Sequence, residues 1–268
     1  MKPIFLLSAS VLFFASNVVA QTTRKAEELR RFPAVEARQG VTVDKQFFYA
    51  IDNHDIGKYR KENGERVGGW TQEKGGRLIH LNAGTIHDGK LYAAHSNFPQ
   101  TPVTSSVEIW DTETMKHVGS HSFGIFEGSL TWVDYHDGHW YACFAKYAAN
   151  SDTGVGPAFT QIIRFDNEWR RVAGWIFPAD LVKRFGRYSS SGGAFGRDGL
   201  LFISGHDAKE LYVLALPEAG SELIWKETIA MSAEGQAFDW DTENVDTLYS
   251  IQRKTKEVIV STIKKSAP

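Results

Sequence analysis

Cysteine is almost absent from this chain of 268 residues, since Cys143 is the only one. A single cysteine excludes an intramolecular disulfide. Its place in an apolar, strand-like run favours a buried, inert thiol over a nucleophile. Charge is also nearly balanced, with a formal net charge of −2 and scattered basic residues. This excludes the concentrated positive surface of a nucleic-acid-binding protein.

Long apolar runs are missing except at the start of the chain. Lys2 precedes an apolar run at residues 4–15, and small residues follow at 18–20. This pattern predicts a cleaved signal peptide over residues 1–20, with the mature chain starting near Gln21. An uncleaved anchor is the alternative, although the run is short for a membrane span. We therefore expect a secreted or periplasmic protein with no stable membrane span in the mature chain.

Helical signals are few. Residues 24–31 could form a helical turn or two within an N-terminal lead segment, residues 21–31. Pro178–Phe185 has proline near its start and Gly186 just past its end, which predicts a short helix. The rest of residues 32–264 has the pattern of β-strands in a single domain, and residues 265–268 form a tail.

One unit recurs five times: a short apolar run with an aromatic residue, followed by a polar cluster. The copies are Phe47–His54, Lys90–Asn97, His139–Tyr147, Leu200–Asp207 and Thr247–Lys254. Their aromatic residues, Tyr49, Tyr92, Tyr141, Phe202 and Tyr249, are spaced by 43, 49, 61 and 47 residues. Strand-like repeats with this period predict an all-β, five-bladed β-propeller with four-stranded antiparallel blades.

The repeats also indicate how each blade is built and how the ring closes. A glycine-containing strand opens each repeat, and Asp-Gly pairs at 88–89, 137–138 and 198–199 predict hairpins. The fifth repeat ends early, with one strand at 257–264. We expect residues 32–37 to supply its missing partner, so that the N- and C-terminal strands pair and close the ring. A six-bladed ring would need another repeat within residues 148–190.

When the four strands of each blade follow one another from the axis outward, two sets of connections lie on the same face of the propeller. They are the connections between blades and those between the second and third strands of a blade. The first set carries Gln39, His80, Asn82, Glu127, Ser189, Ser190 and Glu234. The second set carries Asp52, Asn53, His54, His95, Asn97, Lys146, Tyr147, His206, Asp207, Gln252 and Arg253. The recurrence of His, Lys and Arg predicts a pocket at this mouth. The alternative is that these groups only satisfy backbone at a solvated rim.

Several chemistries fit this set of residues. The candidate catalytic residues are His95, His206, Glu127, Lys146 and Arg253. The candidate substrate-binding residues are Asp52, Asn53, Asn82, Asn97, Tyr147, Asp207, Glu234 and Gln252. A divalent metal could be held by His95, His206 and Asp207, although no close-spaced ligand motif is present.

Two reaction types remain open. Asp52, Glu127 and Glu234 lie on separate repeats and could flank a glycosidic bond for hydrolysis. Alternatively, His95 or His206 could abstract a proton from an acidic sugar. Lys146, Arg253 and Asn97 would then neutralise its carboxylate during elimination.

Several stretches of this sequence resemble a group of small exported bacterial β-propeller proteins within the broad WD40 and YVTN class. These stretches are His80–Gly84, Tyr92–Asn97, Ser105–Thr112, His117–Gly124, Glu127–Gly128, Thr131–Asp134, Phe165–Arg171 and Gly205–Asp207. Members of the group are mostly uncharacterised and are sometimes labelled cycloisomerase-like. The resemblance implies the fold and export, and it carries over no catalytic residues.

The sequence therefore predicts an exported enzyme that acts on a carbohydrate or related polar small molecule in an axial pocket, by lyase or hydrolase chemistry. The alternative is a non-catalytic propeller that binds a glycan or a protein.

Overall fold

The computed structural model describes residues 24–147 and 156–264, which fold into five sheets arranged as the blades of a β-propeller. In chain order the strands are β1 (Arg24–Lys25), β2 (Glu27–Pro33), β3 (Gly40–Val43), β4 (Phe47–Ile51), β5 (Asp55–Arg60), β6 (Arg66–Thr71), β7 (Leu81–His87), β8 (Lys90–Ser96), β9 (Ser105–Asp111), β10 (His117–Gly124), β11 (Ser129–His136), β12 (His139–Ala145), β13 (Gln161–Phe165), β14 (Arg171–Ile176), β15 (Gly192–Phe195), β16 (Leu201–Ser204), β17 (Glu210–Ala215), β18 (Ile224–Ala230), β19 (Asp239–Trp240), β20 (Thr247–Gln252) and β21 (Glu257–Thr262).

The blades follow the chain. Blades 1 to 4 are β3–β6, β7–β10, β11–β14 and β15–β18, and blade 5 contains β19, β20, β21 and β2. Their first strands, β3, β7, β11, β15 and β19, contact one another in a closed ring around the axis. The prediction of five blades is confirmed. From Gly156 onward, the region where a sixth repeat was considered holds a short 3-10 turn, β13, β14 and a helix.

The recurring aromatic residues fill the spaces between blades. Each lies on the second strand of its blade and packs against the next blade, which explains why the position repeats. The ring-centroid distances are 4.3 Å for Tyr92–Trp140, 4.5 Å for Tyr141–Phe195, 4.9 Å for Phe202–Trp240 and 6.0 Å for Tyr249–Phe48. Tyr49 packs in the same way, in a cluster with Leu91 and Trp110 of blade 2.

The ring closes at the N-terminal segment, as the sequence predicts, but with earlier residues. Strand β2 pairs antiparallel with β21. The expected helical turn at residues 24–31 is wrong, because this segment forms β1 and most of β2 and belongs to the propeller rather than to a lead segment. Strand β1 pairs parallel with β18 of blade 4, and Arg24 forms a two-pronged ion pair with Glu227. The segment thus joins blades 4 and 5.

Local signals elsewhere are largely confirmed. Asp88-Gly89 and Asp137-Gly138 are tight hairpin turns in which both residues have positive φ. The turn at Asp198-Gly199 is longer and starts at Gly196, whose N–H donates to the carbonyl of Leu200. Cys143 is fully buried, and burial raises its pKa to about 12, so the thiol is inert.

The predicted helix is present as α1 (Ala179–Phe185), with Pro178 before its first turn and Gly186 after its last. Gly186 has a φ of 71°, which favours glycine. The helix lies between blades 3 and 4 and buries Leu181 and Phe185. This insertion accounts for the longest repeat spacing.

The predicted signal peptide at residues 1–20 and the tail at 265–268 lie outside the described residues. Within the described part of the chain, no helix has the length and apolar character needed to cross a bilayer.

Candidate functional site

A cavity of about 650 Å³ opens on the axis, on the face where the connections between blades meet those between second and third strands. All five blades or their connections contribute to its wall. The lining residues are Gln39, His80, Asn82, Phe98, Thr131, Tyr147, Pro157, Gly186, Arg187, Tyr188, Ser191, His206, Gln236 and Arg253. The prediction that one mouth gathers polar residues from distant parts of the chain is therefore confirmed.

Next to the lining residues, small residues bring neighbouring blades into close contact. Gln39 and Gln236 line the wall, and the residues that follow them, Gly40 and Ala237, approach each other closely. A Cβ atom added to Gly40 would lie 2.6 Å from the Cβ of Ala237 and 3.4 Å from the Cα of Ala83. These contacts join neighbouring blades. Deeper on the first strands, Thr42, Thr85 and Asp134 are at most 8% exposed and hydrogen-bond to an adjacent blade, so the axis is packed below the cavity.

His206 is held from three sides at the cavity wall. Its Nδ1 lies 2.6 Å from Oδ1 of Asp207, and its Nε2 lies 3.2 Å from a guanidinium nitrogen of Arg253. Since Arg253 can only donate and the carboxylate of Asp207 accepts, the imidazole carries its proton on Nδ1 and accepts at Nε2. The ring of Tyr188 stacks on the imidazole at a centroid distance of 4.0 Å. This arrangement fixes the tautomer and the plane of the ring.

His80 presents a second neutral imidazole to the cavity. The amide oxygen of Asn53 accepts hydrogen bonds from Nδ1 of His80 at 2.7 Å and from Nε2 of Gln39 at 2.8 Å. Because that oxygen cannot donate, Nδ1 of His80 carries the proton and Nε2 is left as an acceptor. Burial, with smaller contributions from the charges of His95 and Arg253, lowers the pKa of His80 to about 4. The ring is therefore neutral near pH 7.

Aromatic rings form one side of the cavity. Phe98 lies 5.5 Å from the ring of His80 and 5.3 Å from that of Tyr147, measured between centroids. Burial raises the pKa of Tyr147, so its hydroxyl stays protonated. Arg187 covers the ring of Tyr188, with its guanidinium carbon 4.8 Å from the centroid. Such a wall suits the apolar face of a ring-shaped ligand.

The charges of the wall favour an anion. Arg187 and Arg253 line the cavity. Among residues 24–147 and 156–264, none of the lining side chains is Asp or Glu. A ligand carboxylate would therefore meet two cations without competing acids in the described part of the wall.

The residues predicted as candidates fall into three groups. Those that line the axial cavity are His206, Arg253, Asn82 and Tyr147. Those that line an adjoining cavity on the rim are Asn53, Asp207 and Glu234. The remaining candidates are absent from the described lining of both cavities; they are His95, Glu127, Lys146, Asp52, Asn97 and Gln252.

His95 lies on the same face as His206, near His80, but its ring is used structurally. Its Nε2 accepts the backbone N–H of Ile79 at 3.2 Å, and its Nδ1 lies 3.0 Å from the hydroxyl of Ser106. Burial lowers its pKa, so it is a neutral support for the strand.

Other candidates support loops at the rim. Asn97 accepts from the N–H of Thr104 and donates to the carbonyl of Pro102, which holds its own loop. Lys146 donates to the carbonyl of Phe126. Gln252 ends β20, where it pairs with Glu257.

The three carboxylates considered for hydrolysis have separate partners. Asp52 lies 3.6 Å from Arg38. Glu127 accepts from Gln161 at 3.0 Å and lies 3.6 Å from Arg171. Glu234 pairs with Lys254 at 3.1 Å. No two of the three share a cavity among the described residues.

The predicted metal site is not formed. Within the described residues, no three His, Cys, Asp or Glu side chains are grouped closely enough to hold a metal ion. His206 and Asp207 contact each other, while His95 is engaged with Ile79 and Ser106. The grouping of His95, His206 and Asp207 as metal ligands is therefore wrong.

Sequence reasoning did not select several lining residues. Gln39 and His80 were placed on the correct face but were not chosen as site residues. Phe98, Arg187, Tyr188 and Gln236 were not considered. Arg187 and Tyr188 directly follow α1. The sequence offered one signal for them, because a cation and an aromatic residue stand next to each other in the insertion between blades 3 and 4.

Fold and site together define a five-bladed β-propeller with a closed-bottomed axial cavity. Among solved structures the chain is similar to a luciferin-regenerating enzyme, with 11% identity over 91% of this chain and 96% of that one and a TM-score of 0.56. It is also similar to the PQQ-bound aldose sugar dehydrogenase of Streptomyces coelicolor, with 12% identity over 91% and 100% of the two chains and a TM-score of 0.55. At such identities these similarities show the fold alone.

No protein-family model and no curated protein matches the sequence. Membership of the exported bacterial group that the sequence resembles stays a prediction.

Proposed function

We propose that the axial cavity is the active site of an enzyme that acts on a small acidic sugar or a related carboxylate by proton abstraction and elimination. The observation that carries this proposal is the set around His206: an imidazole, oriented by Asp207 and Tyr188, beside two arginines in one cavity. Elimination next to a carboxylate needs a base and a cation that stabilises the developing enolate.

The geometry suggests how binding prepares the base. A guanidinium nitrogen of Arg253 donates to Nε2 of His206. A carboxylate between Arg187 and Arg253 would draw the guanidinium toward itself, because a charged acceptor binds it more strongly than a neutral ring. Nε2 of His206 would then be free to accept a proton, and the adjacent Asp207 would stabilise the imidazolium.

The chemical step balances with groups on the wall. The proton on the carbon next to the carboxylate moves to Nε2 of His206, and its electron pair becomes the new double bond. The carbon–oxygen bond at the adjacent carbon breaks, and the departing oxygen takes a proton from a wall hydroxyl, Tyr147 or Tyr188. His80 accepts a hydrogen bond from a sugar hydroxyl at Nε2.

Hydrolysis by paired carboxylates is less well supported. That reaction needs two carboxyl groups on either side of one glycosidic bond. Asp52, Glu127 and Glu234 do not line the axial cavity in the described part of the chain.

A second candidate function is a non-catalytic propeller that binds a glycan or a protein. It is favoured by two aromatic side chains in connections of the mouth face. Phe126 is 85% exposed and Phe159 is 58% exposed. Exposed aromatics at a rim are typical of binding surfaces.

Export to the periplasm or the medium is part of the proposal and rests on the pattern of residues 1–20. Mass spectrometry of the mature N-terminus tests it. A start near Gln21 would support export, and an intact Met1 in the mature protein would contradict cleavage.

The catalytic proposal is tested with acidic sugars that carry a second sugar on the oxygen of the carbon adjacent to the one deprotonated, and with neutral sugars of the same size. We expect the acidic compounds alone to raise the melting temperature. Turnover should give the ultraviolet absorbance of a conjugated double bond. His206→Gln should lower turnover by about 100-fold or more, whereas His139→Gln, at the start of β12 on the opposite face, should not. Binding without turnover would favour the binding propeller, and no preference for acidic compounds would contradict the proposed site.

A further inference from the structure

A second cavity adjoins the axial one on the rim. It has a volume of about 610 Å³ and shares Gln39 and Arg253 with the axial cavity. Its wall also includes Arg38 and Lys254. The two spaces therefore meet at Arg253.

The proposed base lies at this junction. His206 lines the axial cavity, and the next residue, Asp207, lines the rim cavity. Nδ1 of His206 and Oδ1 of Asp207 are 2.6 Å apart, so this hydrogen bond joins the two cavities. A bond broken beside His206 would therefore separate a group in the axial cavity from a group on the rim.

The two spaces differ in how they end. Below the axial cavity the first strands are packed, since Thr42, Thr85 and Asp134 are at most 8% exposed. A chain therefore cannot pass along the axis. The rim cavity lies on the outer part of the mouth face, between the connections that carry Arg38 and Lys254. The structure thus offers a closed end for one unit and an open path for the units attached to it.

The rim cations can exchange their partners for a ligand. Lys254 pairs with Glu234 at 3.1 Å, but its side chain is 78% exposed. Arg38 lies 3.6 Å from Asp52 with its side chain 50% exposed. The carboxylates are less exposed, at 22% for Glu234 and 19% for Asp52, but each cation has a face open to solvent. A ligand anion can therefore bind the exposed side of the cation and compete with its present partner.

From these observations we propose that the substrate is an acidic oligosaccharide bound by its end. The terminal acidic sugar occupies the axial cavity and the preceding units cross the rim cavity. The inference rests on the proposed lyase function and adds its substrate class. The terminal sugar loses its proton to His206, the bond to the glycosidic oxygen breaks at the junction, and the oxygen leaves with the chain on the rim. The product is one unsaturated sugar for each cleavage.

Binding and product analysis on one series of acidic sugars with one, two and three units test this inference. We expect the two-unit compound to bind at least about tenfold more tightly than the single unit, because a second anion gains charged hydrogen bonds. Single unsaturated sugars should be the first product from the three-unit compound. In the variant with both Arg38→Gln and Lys254→Gln, the affinity ratio of two units to one should fall toward unity. The control Lys45→Gln, on the opposite face, should keep the ratio.

The outcomes separate this inference from the proposed function. Equal affinity for all lengths, or release of larger fragments first, would overturn end-on binding while leaving the acidic-sugar lyase intact. Failure of every length to bind would overturn both. A ratio that persists in the double variant would exclude Arg38 and Lys254 as the rim site.

Discussion

A guanidinium nitrogen of Arg253 lies 3.2 Å from Nε2 of His206, so a side chain of blade 5 contacts the imidazole of the neighbouring blade 4 at the mouth. This contact joins the candidate anion-binding group to the candidate base. A ligand that binds Arg253 must alter the environment of His206, and each residue reports on the other.

The first prediction concerns this arginine. Arg253→Gln should weaken binding of an acidic sugar by about tenfold or more, because it removes a charged hydrogen-bond donor from the wall. Titration calorimetry measures the change. Arg170→Gln is the matched control, since Arg170 is exposed in a turn on the opposite face. Equal losses in both variants would indicate a general charge effect and would contradict a specific role for Arg253.

The second prediction concerns His80. Nδ1 of His80 lies 2.7 Å from the amide oxygen of Asn53. Asn53→Asp keeps the shape of that side chain but puts a carboxylate oxygen in the place of the amide oxygen. A nearby negative charge favours the protonated imidazole. The pKa of His80 should therefore rise from about 4 to near or above its ordinary value of about 6.5.

Ring-proton NMR across the acid range measures this titration. The resonances of His139, at the start of β12 on the opposite face, serve as the internal reference. A pKa of His80 that stays low in the Asp variant would show that the hydrogen bond to residue 53 is not formed in solution.

The fold was predictable because its signal is repeated. The aromatic position of each second strand recurs since it fills the gap to the next blade, as Tyr141 does against Phe195. Ring closure followed from the short fifth repeat. The helical turn expected at residues 24–31 failed because pairing with β21 outweighs local helix preference in a charged segment.

For the candidate site, the sequence predicted which face of the propeller carries it but not which side chains line the cavity. Topology places His206 and Arg253 at one mouth, but the sequence does not tell whether a strand-end histidine points into the cavity or supports a loop. His95 supports the backbone of Ile79, whereas His80 faces the cavity. Arg187 and Tyr188 enter from an insertion after α1 that has no counterpart in the repeat.

The third prediction tests ring closure. Phe32 on β2 is buried and stacks on Phe48 of blade 1 at 5.4 Å. Phe32→Ala should lower the free energy of unfolding by about 3 kcal/mol, the cost of a large cavity between closing strands. Leu29→Ala is the control from the same strand, because Leu29 is exposed, and its effect should stay below about 0.5 kcal/mol. Urea denaturation measures both variants. If Phe32→Ala lowered the free energy of unfolding as little as Leu29→Ala, the N-terminal strand would contribute little to the closed ring.

The fourth prediction concerns a buried carboxylate that joins three blades. Asp134 of blade 3 accepts the hydroxyl of Thr85 from blade 2 and the N–H of Phe195 from blade 4. Burial raises its pKa to about 6, despite these hydrogen bonds. The folded protein therefore holds this proton more tightly than the unfolded chain, in which the pKa of an aspartate is about 3.9.

The sign of the pH effect follows from linkage. Below about pH 4 the group is protonated in both states and its burial carries no charge penalty. As the pH rises through about 4 to 6, the unfolded chain ionises first, so Asp134 lowers stability, and the penalty is complete above its folded pKa.

Comparison with Asp134→Asn measures this contribution together with its coupling to Asp239, whose pKa the charge of Asp134 raises. The remaining titrating groups are common to both proteins. The stability advantage of the natural protein over the variant should fall by about 1–2 kcal/mol between about pH 5 and about pH 8. Urea denaturation at both pH values measures it, and Asp137→Asn, in an exposed turn, should show no such change. An advantage that grows with pH would mean that the hydrogen bonds from Thr85 and Phe195 outweigh burial and lower the pKa of Asp134 instead.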